Sequence, residues 1–158
     1  MEDKIKAGGI IRNEHLAKIG VMAAPDRCGL ACDVLRVLGE NNINVEFIVQ
    51  CTDQSDNSHI VFCVREDQLE DALAALQPVK GKVKAEDIVH QKNVALVSVF
   101  GPDFRERPAI GAAVFDSMAS GGINIMAIST SISTVSCLID GTRVDDAVVA
   151  LREHFELP

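Results

Sequence analysis

The chain has 158 residues, 47% of them hydrophobic and 24% charged, which is enough for one compact domain or two small ones with an apolar core. Its formal net charge of −8, without a dense run of Lys or Arg, argues against a nucleic acid partner, because phosphate backbones are bound by clustered cations. The charged N-terminus does not resemble a signal peptide, and no apolar run approaches the roughly 18 residues of a membrane span. Five cysteines predict no disulfide framework, so we expect a soluble, cytoplasmic protein without a membrane partner.

The first predicted element is a short strand at residues 5–12, and a longer unit follows at 17–91. This unit is predicted from apolar alternation in the strands, an apolar stripe in each helix and turn residues between them. Its elements are, in chain order, a strand around Ile19 and Val21, a turn at Pro25 and Asp26, a helix with an apolar stripe from Leu30 to Leu38, a turn from Gly39 to Asn42, a strand containing Ile43 and Asn44, a third strand from His59 to Val64, a helix at 66–77 and a fourth strand around 82–90.

The remaining residues, 93–158, repeat this order of elements. The repeat includes an asparagine after an isoleucine at the start of the second strand, where asparagine is poorly suited to a half-buried sheet. The elements are a strand around Val97 and Val99, a turn at Pro102 and Asp103, a helix with an apolar stripe from Ile110 to Met118, a turn from Ser120 to Gly122, a strand containing Ile123 and Asn124, a third strand from Thr134 to Ile139 and a helix at 142–155.

The repeated order predicts an α+β protein built from two ferredoxin-like βαββαβ modules, each an antiparallel sheet with helices on one face. The second module lacks a final strand, because the chain ends within or just beyond its last helix. We expect the strand at 5–12 to complete that module, which would join the two modules into one unit.

The sequence supports no catalytic assignment. It contains no nucleotide-binding glycine motif and no defensible Ser/His/Asp spacing, and its four histidines lie in different elements, where we expect solvated side chains rather than metal ligands. Cys28 and Cys32 lie four residues apart, which allows a metal or redox role or simple packing beside the apolar stripe. We favour packing, and therefore predict no catalytic residue, no metal and no cofactor.

A binding role is better supported by the loop before the first helix. That loop exposes backbone N–H groups at a helix N-terminus, which receives anions, and Gly29 allows a ligand to approach the backbone. Asn44 and Asn124 carry a carbonyl and an amide that suit a small zwitterion. The alternative is that each asparagine only stabilises the turn that precedes its strand.

These residues give the chain a resemblance to a pair of ACT domains, which are small amino-acid-binding regulatory modules, and more specifically to the regulatory region of aspartate kinase. The resemblance extends from about Gly9 to Leu157. Its most specific parts are Pro-Asp-x-x-Gly-x-Ala at Pro25 to Ala31, INVEFIVQ at Ile43 to Gln50, GINI at Gly122 to Ile125, ISTS at Ile128 to Ser131 and ALREHFEL at Ala150 to Leu157.

The resemblance implies that the chain lacks the catalytic kinase domain. Some members of the family make a short regulatory subunit of two ACT domains separately, and this chain, starting at Met1, has that form. In the family, two chains pair so that the first ACT domain of one faces the second of the other, and threonine or lysine binds at the junction. The implied ligand-binding residues are Asp26, Gly29, Leu30, Ala31, Asn44, Val45, Gln50, Asn124, Ile125, Ser129 and Thr130.

The chain departs from the family pattern mainly in its second module. Ala109 stands where the family has glycine before the first helix, and Ile132-Ser133-Thr134 replaces Glu-Ile and a basic residue. In the first module only Cys28 departs, where the family has proline. We therefore expect the working site to centre on the first module and on Asn44, with the role of Asn124 open.

Three hypotheses remain open at the level of sequence. The chain is a dimeric amino-acid sensor that regulates a partner enzyme, or the regulatory subunit of an aspartate kinase complex with a separate catalytic subunit, or a structural dimerisation module with a degenerate ligand site. The effector's identity and the sign of regulation stay undetermined.

Overall fold

The computed structural model describes residues 3–102 and 104–158; Asp103, in one predicted turn, and Met1 lie outside the described residues. The chain forms two compact units. The first, called the central unit, is His15–Lys92. The second, called the terminal unit, combines the N-terminal residues up to Glu14 with Asn93–Pro158. No helix of the described residues is long and apolar enough to cross a membrane.

The described residues form eight strands and four α-helices, besides three short 3-10 helices. The strands are β1 (Ile5–Lys6), β2 (Gly9–Pro25), β3 (Phe47–Thr52), β4 (Asn57–Arg65), β5 (Asp87–Phe100), β6 (Ala127–Thr130), β7 (Thr134–Asp140) and β8 (Phe155–Glu156). The helices are α1 (Leu30–Glu40), α2 (Leu69–Val83), α3 (Ile110–Ser120) and α4 (Val144–His154).

The central unit contains β3, β4, most of β2 and the first part of β5, in that order across its sheet. β4 runs antiparallel to both β2 and β3. Alternate residues of β2 and β4, such as Ile19 and Phe62, share one buried apolar cluster with Val34 of α1 and Leu76 of α2. The helices therefore cover the face to which these alternate side chains point.

The terminal unit repeats this arrangement, with β7 antiparallel to both β5 and β6. Its apolar cluster joins Val97 and Ile139 of the sheet to Val114 of α3 and Leu151 of α4. The N-terminal segment lies in this unit, where β1 pairs in parallel with β8 and Ile5 packs against the cluster. The predicted α+β class, with two ferredoxin-like modules whose antiparallel strands are each covered by a helix pair, is confirmed, but the two modules' strands belong to one six-stranded sheet rather than to two.

Two predicted boundaries are wrong. The fourth strand of the first copy was expected around 82–90, but α2 continues to Val83 and ends at Lys84, whose φ of 56° is left-handed. The strand, β5, begins at Asp87 and runs without interruption to Phe100. A strand of the first copy and the first strand of the second copy are therefore one element, although Asn93 within it has a left-handed φ of 53°.

The asparagines of the two repeats also lie outside the predicted strands. β3 begins at Phe47 and β6 at Ala127, three residues after Asn44 and Asn124 respectively. Each helix before them ends at a left-handed residue, Asn42 or Gly122, and the next residue donates its N–H to a carbonyl in the last turn of that helix. The residues that follow carry the backbone out of this turn, so strand pairing begins only after them.

Candidate functional site

The loop between β2 and α1 and the first turn of α1 carry four of the predicted ligand residues, Asp26, Gly29, Leu30 and Ala31. Gly29 is the N-cap of α1 and has a φ of 87°, a left-handed conformation that disfavours any side chain. Its carbonyl accepts a hydrogen bond from the backbone N–H of Asp33 at 3.0 Å. Leu30 and Ala31 follow in the first turn of α1, where N–H groups lack intrahelical partners. This terminus therefore suits a small anion such as a carboxylate.

Asp26 lies beside this terminus in a cluster of polar side chains. Its Oδ1 accepts a hydrogen bond from Ser58 Oγ at 2.9 Å, and Ser58 is fully buried. Gln50 Nε2 donates to Ser58 Oγ at 3.4 Å, and Thr52 Oγ1 lies 3.3 Å from the same oxygen. The structure thus brings the Asp26 carboxylate and the Gln50 amide to the end of the sheet where α1 begins.

The cations near this terminus are engaged with Asp33 rather than Asp26. Arg27 Nη2 and Lys82 Nζ both form ion pairs with the Asp33 carboxylate, and hydrogen bonds first from Arg27 and then from Lys82 lower the pKa of Asp33. Within the described part of the chain, Asp26 forms no ion pair. Its carboxylate is therefore a candidate acceptor for an ammonium group.

Asn44 and Val45 lie at the opposite end of the central unit. Glu46, just before β3, donates its backbone N–H to Cys63 O, near the far end of β4 from the Asp26 loop. Six residues of β3, about 20 Å of extended chain, lie between this end and the end beside α1's N-terminus. Asn44 is exposed and its Nδ2 is 3.4 Å from Glu46 Oε1. Within the central unit, Asn44 therefore lies far from the loop that carries Asp26.

The terminal unit shows the same separation. Asn124 and Ile125 precede β6, next to the end of α3, where Arg143 donates to Gly121 O at 2.9 Å and Gly122 O at 3.2 Å. Ser129 and Thr130 lie further along β6, toward the other end of the unit. Thr130 pairs with Val135 as Gln50 pairs with Ile60 in the central unit.

The helix N-terminus differs between the units. Ala109 is the N-cap of α3 with a φ of −87°, an ordinary right-handed conformation, whereas the central unit needs the left-handed Gly29. The terminal unit therefore has a methyl group where the central unit has only backbone.

The cysteine prediction needs correction. Cys32 does not pack against the apolar stripe; it is exposed, like Cys28, and Arg36 Nη2 donates to its Sγ at 3.2 Å. The reason is the helical period, since the buried residues of α1 are Leu30, Val34 and Leu38, and position 32 points elsewhere. Burial of two other thiols raises the pKa of Cys63 to about 12 and of Cys137 to about 11.

The histidines are not uniformly solvated either. His59 is half-buried and bonded on both ring nitrogens, to Ala23 N at 3.2 Å and Asp53 Oδ2 at 2.9 Å. His154 Nε2 lies 3.4 Å from Asp116 Oδ2. No group of three or more metal-ligating side chains occurs among the described residues.

Sequence reasoning missed Ser58 and Thr52. Both are residues of adjacent, paired strands, and Thr52 stands directly opposite Ser58. Their signal in the sequence was weak, because a serine beside a predicted strand reads as a turn residue. Only the register of β3 against β4 shows that Thr52 meets Ser58, which in turn donates to the Asp26 carboxylate.

Comparison with known proteins identifies the modules. Models of the ACT domain match residues 19–81 and 97–155, one in each unit. The chain therefore contains two ACT domains.

Solved structures and related sequences identify the family to which this pair of ACT domains belongs. The ligand-free regulatory subunit of aspartate kinase from Thermus thermophilus is 30% identical and superposes with a TM-score of 0.86, covering 95% of this chain and 99% of that one. A structure of aspartokinase alpha and beta subunits is also 30% identical, with a TM-score of 0.86, covering 94% of this chain and 97% of that one. An aspartokinase of Thermus thermophilus is 34% identical over 157 residues, 98% of this chain but 38% of its own length. The chain belongs to the family of aspartate kinase regulatory subunits and spans about two fifths of the length of the full aspartokinases that it matches.

Proposed function

We propose that this chain is a non-catalytic sensor of a free amino acid that regulates an aspartate kinase catalytic subunit. The observation that carries the proposal is the cluster at the start of α1, where Asp26 and Gln50 lie next to a helix N-terminus with a left-handed glycine. These groups suit an amino-acid zwitterion. The N-terminus of α1 receives the α-carboxylate, and the Asp26 carboxylate receives the α-ammonium group.

The distances within each unit favour a site completed by a second copy. Since Asn44 lies across its own unit from the Asp26 loop, and Asn124 likewise lies across from the start of α3, neither asparagine reaches the helix N-terminus of its own unit. Two chains that join edge strands β3 and β6 in antiparallel fashion would bring the asparagine of one to the loop of the other. In that arrangement Asn124 of the partner subunit, rather than Asn44, meets Asp26.

The edge strands carry a feature that supports such pairing. Ile48 of β3 and Ile128 of β6 occupy equivalent positions and are both exposed, at 38% and 43%. Exposed apolar residues on unpaired edges are typical of strands that pair with another chain. We therefore propose a homodimer formed through these edges.

The effector is proposed to be threonine or lysine, on the family resemblance. The Thr52 hydroxyl and the Gln50 amide favour a ligand with a short polar side chain, so threonine is the first candidate. The five free thiols of the chain accord with a reducing, cytoplasmic location.

Calorimetric titration with each of the twenty amino acids tests the sensor function. We expect saturable binding of threonine or lysine by the wild-type dimer. Asp26→Asn should weaken binding by about 10-fold or more, because a hydrogen bond to a charged group is lost. Asp116→Asn, which changes an exposed aspartate of α3, is the matched control and should leave the affinity unchanged.

A structural dimerisation module is the second candidate, and the exposed Ile48 and Ile128 favour it equally. Ile48→Lys with Ile128→Lys should convert the dimer to a monomer in analytical ultracentrifugation. A dimer that is intact but binds none of the twenty amino acids would establish the second candidate and exclude the first. An unchanged dimer in the double variant would exclude the proposed edge pairing.

A further inference from the structure

His59 lies at an irregularity of the central sheet, one residue from the candidate site. The register of β2 against β4 shifts between Val21 and Ala24, so that Met22 and Ala23 together oppose His59. Ala23 has a left-handed φ of 53°. Such a bulge leaves a backbone group without a ladder partner. Here the Ala23 N–H donates to His59 Nδ1 at 3.2 Å.

This contact defines the protonation of the ring. A backbone N–H can only donate, so Nδ1 is the acceptor and carries no proton. Nε2 of the neutral ring carries the proton and donates to Asp53 Oδ2 at 2.9 Å. The same Asp53 carboxylate accepts from the backbone N–H groups of Ser55 and Asn57 in the turn between β3 and β4. His59 thus connects the bulge of β2 to that turn.

The connection extends to the ligand loop through neighbouring residues. Successive residues of a strand point to opposite faces, so Ser58 and His59 hold the end of β2 from its two sides. Ser58 bonds the Asp26 side chain, and Asp56 of the turn accepts the Asp26 N–H at 2.9 Å. The Asp26 backbone and side chain therefore depend on the turn and strand that His59 joins to the bulge.

We propose that His59 is a positioning residue, which in its neutral form holds the Asp26 loop in the binding geometry and makes effector affinity fall as the ring is protonated. The inference rests on the proposed amino-acid site and deepens it. When Nδ1 is protonated, it faces the Ala23 N–H as a second donor. The hydrogen bond between them is then lost, and the bulge of β2 is no longer held by His59.

The other titratable groups near His59 do not reproduce this effect. Asp53 faces the ring from the turn, and its hydrogen bond with His59, followed by those from Asn57 and Ser55, lowers its pKa, so it stays ionised at and above pH 5.5. Cys51 stands opposite His59 on β3. Glu86, whose N–H bonds Met22 O on the other side of β2, is exposed. Among these groups the imidazole is the one whose type titrates between pH 5 and 8.

Among the described residues of the terminal unit, this arrangement of a bulge and a histidine does not recur. β5 pairs with β7 in a single register from Val94 to Phe100, without a bulge, and Thr134 stands opposite Phe100. The corresponding loop is connected by Gly101 N to Ser133 O, a backbone bond that does not titrate within this range. A pH response of ligand binding should therefore belong to the central unit alone.

Titration calorimetry with L-threonine and L-lysine at pH 8.0 and 5.5 tests the proposal on the full chain. For whichever amino acid binds, we expect wild-type affinity to fall about fivefold at pH 5.5, the loss typical of one neutral hydrogen bond. His59→Gln presents an acceptor oxygen and a donor nitrogen that do not titrate, so it should bind as the wild type does at pH 8.0 and lose the pH response. His154→Gln, at a histidine paired with Asp116 in the terminal unit, should keep the wild-type profile.

Ring ¹⁵N NMR provides a readout that needs no ligand. We expect the Nε2–H tautomer of His59 at pH 8.0, and an Ala23 amide shift that follows its titration. The Nδ1–H tautomer, a wild-type affinity independent of pH, or an unchanged pH response in His59→Gln would overturn the proposal. If neither amino acid binds at either pH while the tautomer and the Ala23 shift appear as expected, the anchoring of the bulge by neutral His59 stands, but the amino-acid site and the effect of His59 on affinity are both excluded.

Discussion

The two ACT domains share a fold but differ at the one place where a ligand is expected. In the central unit, a left-handed Gly29 starts α1 and the buried Ser58 ties Asp26 to Gln50. In the terminal unit, Ala109 starts α3 in an ordinary conformation, and Thr130 stands where Gln50 does. The comparison teaches that two copies of a repeat can share their packing and still differ in the residues at the helix start and strand end, because the core depends on the apolar period and these positions are single residues.

The largest difference should appear when the two helix starts are exchanged. Gly29→Ala should lower the free energy of unfolding by about 1–2 kcal/mol, because a side chain is forced into the left-handed region. The reverse change, Ala109→Gly, should cost no more than about 1 kcal/mol, since its φ suits any residue. Urea unfolding followed by far-ultraviolet circular dichroism measures both. Equal costs would show that the two helix starts are equivalent after all.

The next largest difference between the units should appear when the strand residues Gln50 and Thr130 are exchanged. Gln50→Thr should weaken effector binding about fivefold, as expected for the loss of one hydrogen bond, while Thr130→Gln should leave affinity unchanged. Calorimetry with threonine and lysine gives both values. A larger loss for Thr130→Gln would move the site to the terminal unit.

A smaller effect is expected at the helix ends, where the units are alike. Asn42 and Gly122 are both left-handed, with φ of 58° and 66°. Asn42→Gly should change stability by less than about 1 kcal/mol, whereas Gly122→Ala should destabilise by about 1 kcal/mol. Thermal unfolding of the two variants measures both changes in stability. An unchanged stability of Gly122→Ala would show that this turn tolerates a side chain in the left-handed region.

The loss of stability caused by protonation of carboxylates should differ between the units and should occur only at acid pH. The pKa values of Asp33 and Asp53 in the central unit are lowered chiefly by Arg27 and His59 respectively, and that of Asp140 in the terminal unit chiefly by the backbone N–H of Thr142. A lowered carboxylate pKa gives stability that is complete above the unfolded value, about 4, and is lost as pH falls through the folded value.

Hydrogen exchange with mass spectrometry between pH 5 and 3 resolves the two units. Because two of these three carboxylates lie in the central unit, protection there should fall first as the pH is lowered. Earlier loss of protection in α3 and α4 would show that other groups control the acid stability.

The sequence by itself determined the modules. The apolar periods of β2, α1, β4 and α2, repeated after residue 93, were sufficient for the fold class, because burial of one face of each element is a local property of the pattern. The turns that end the helices at a glycine or an asparagine could also be predicted, since the left-handed conformation restricts residue type.

Only the tertiary structure decided which residues meet. The strand register places Ser58 beside Asp26 and Thr52 beside Ser58, and it gives His59 its partners. A register is set by pairing over the whole hairpin rather than by any single residue. It also moves Asn44 to the far end of the unit from the loop that the sequence had assigned to it. Local pattern fixes which face of an element is buried, whereas the distance between two polar side chains depends on how the elements are paired.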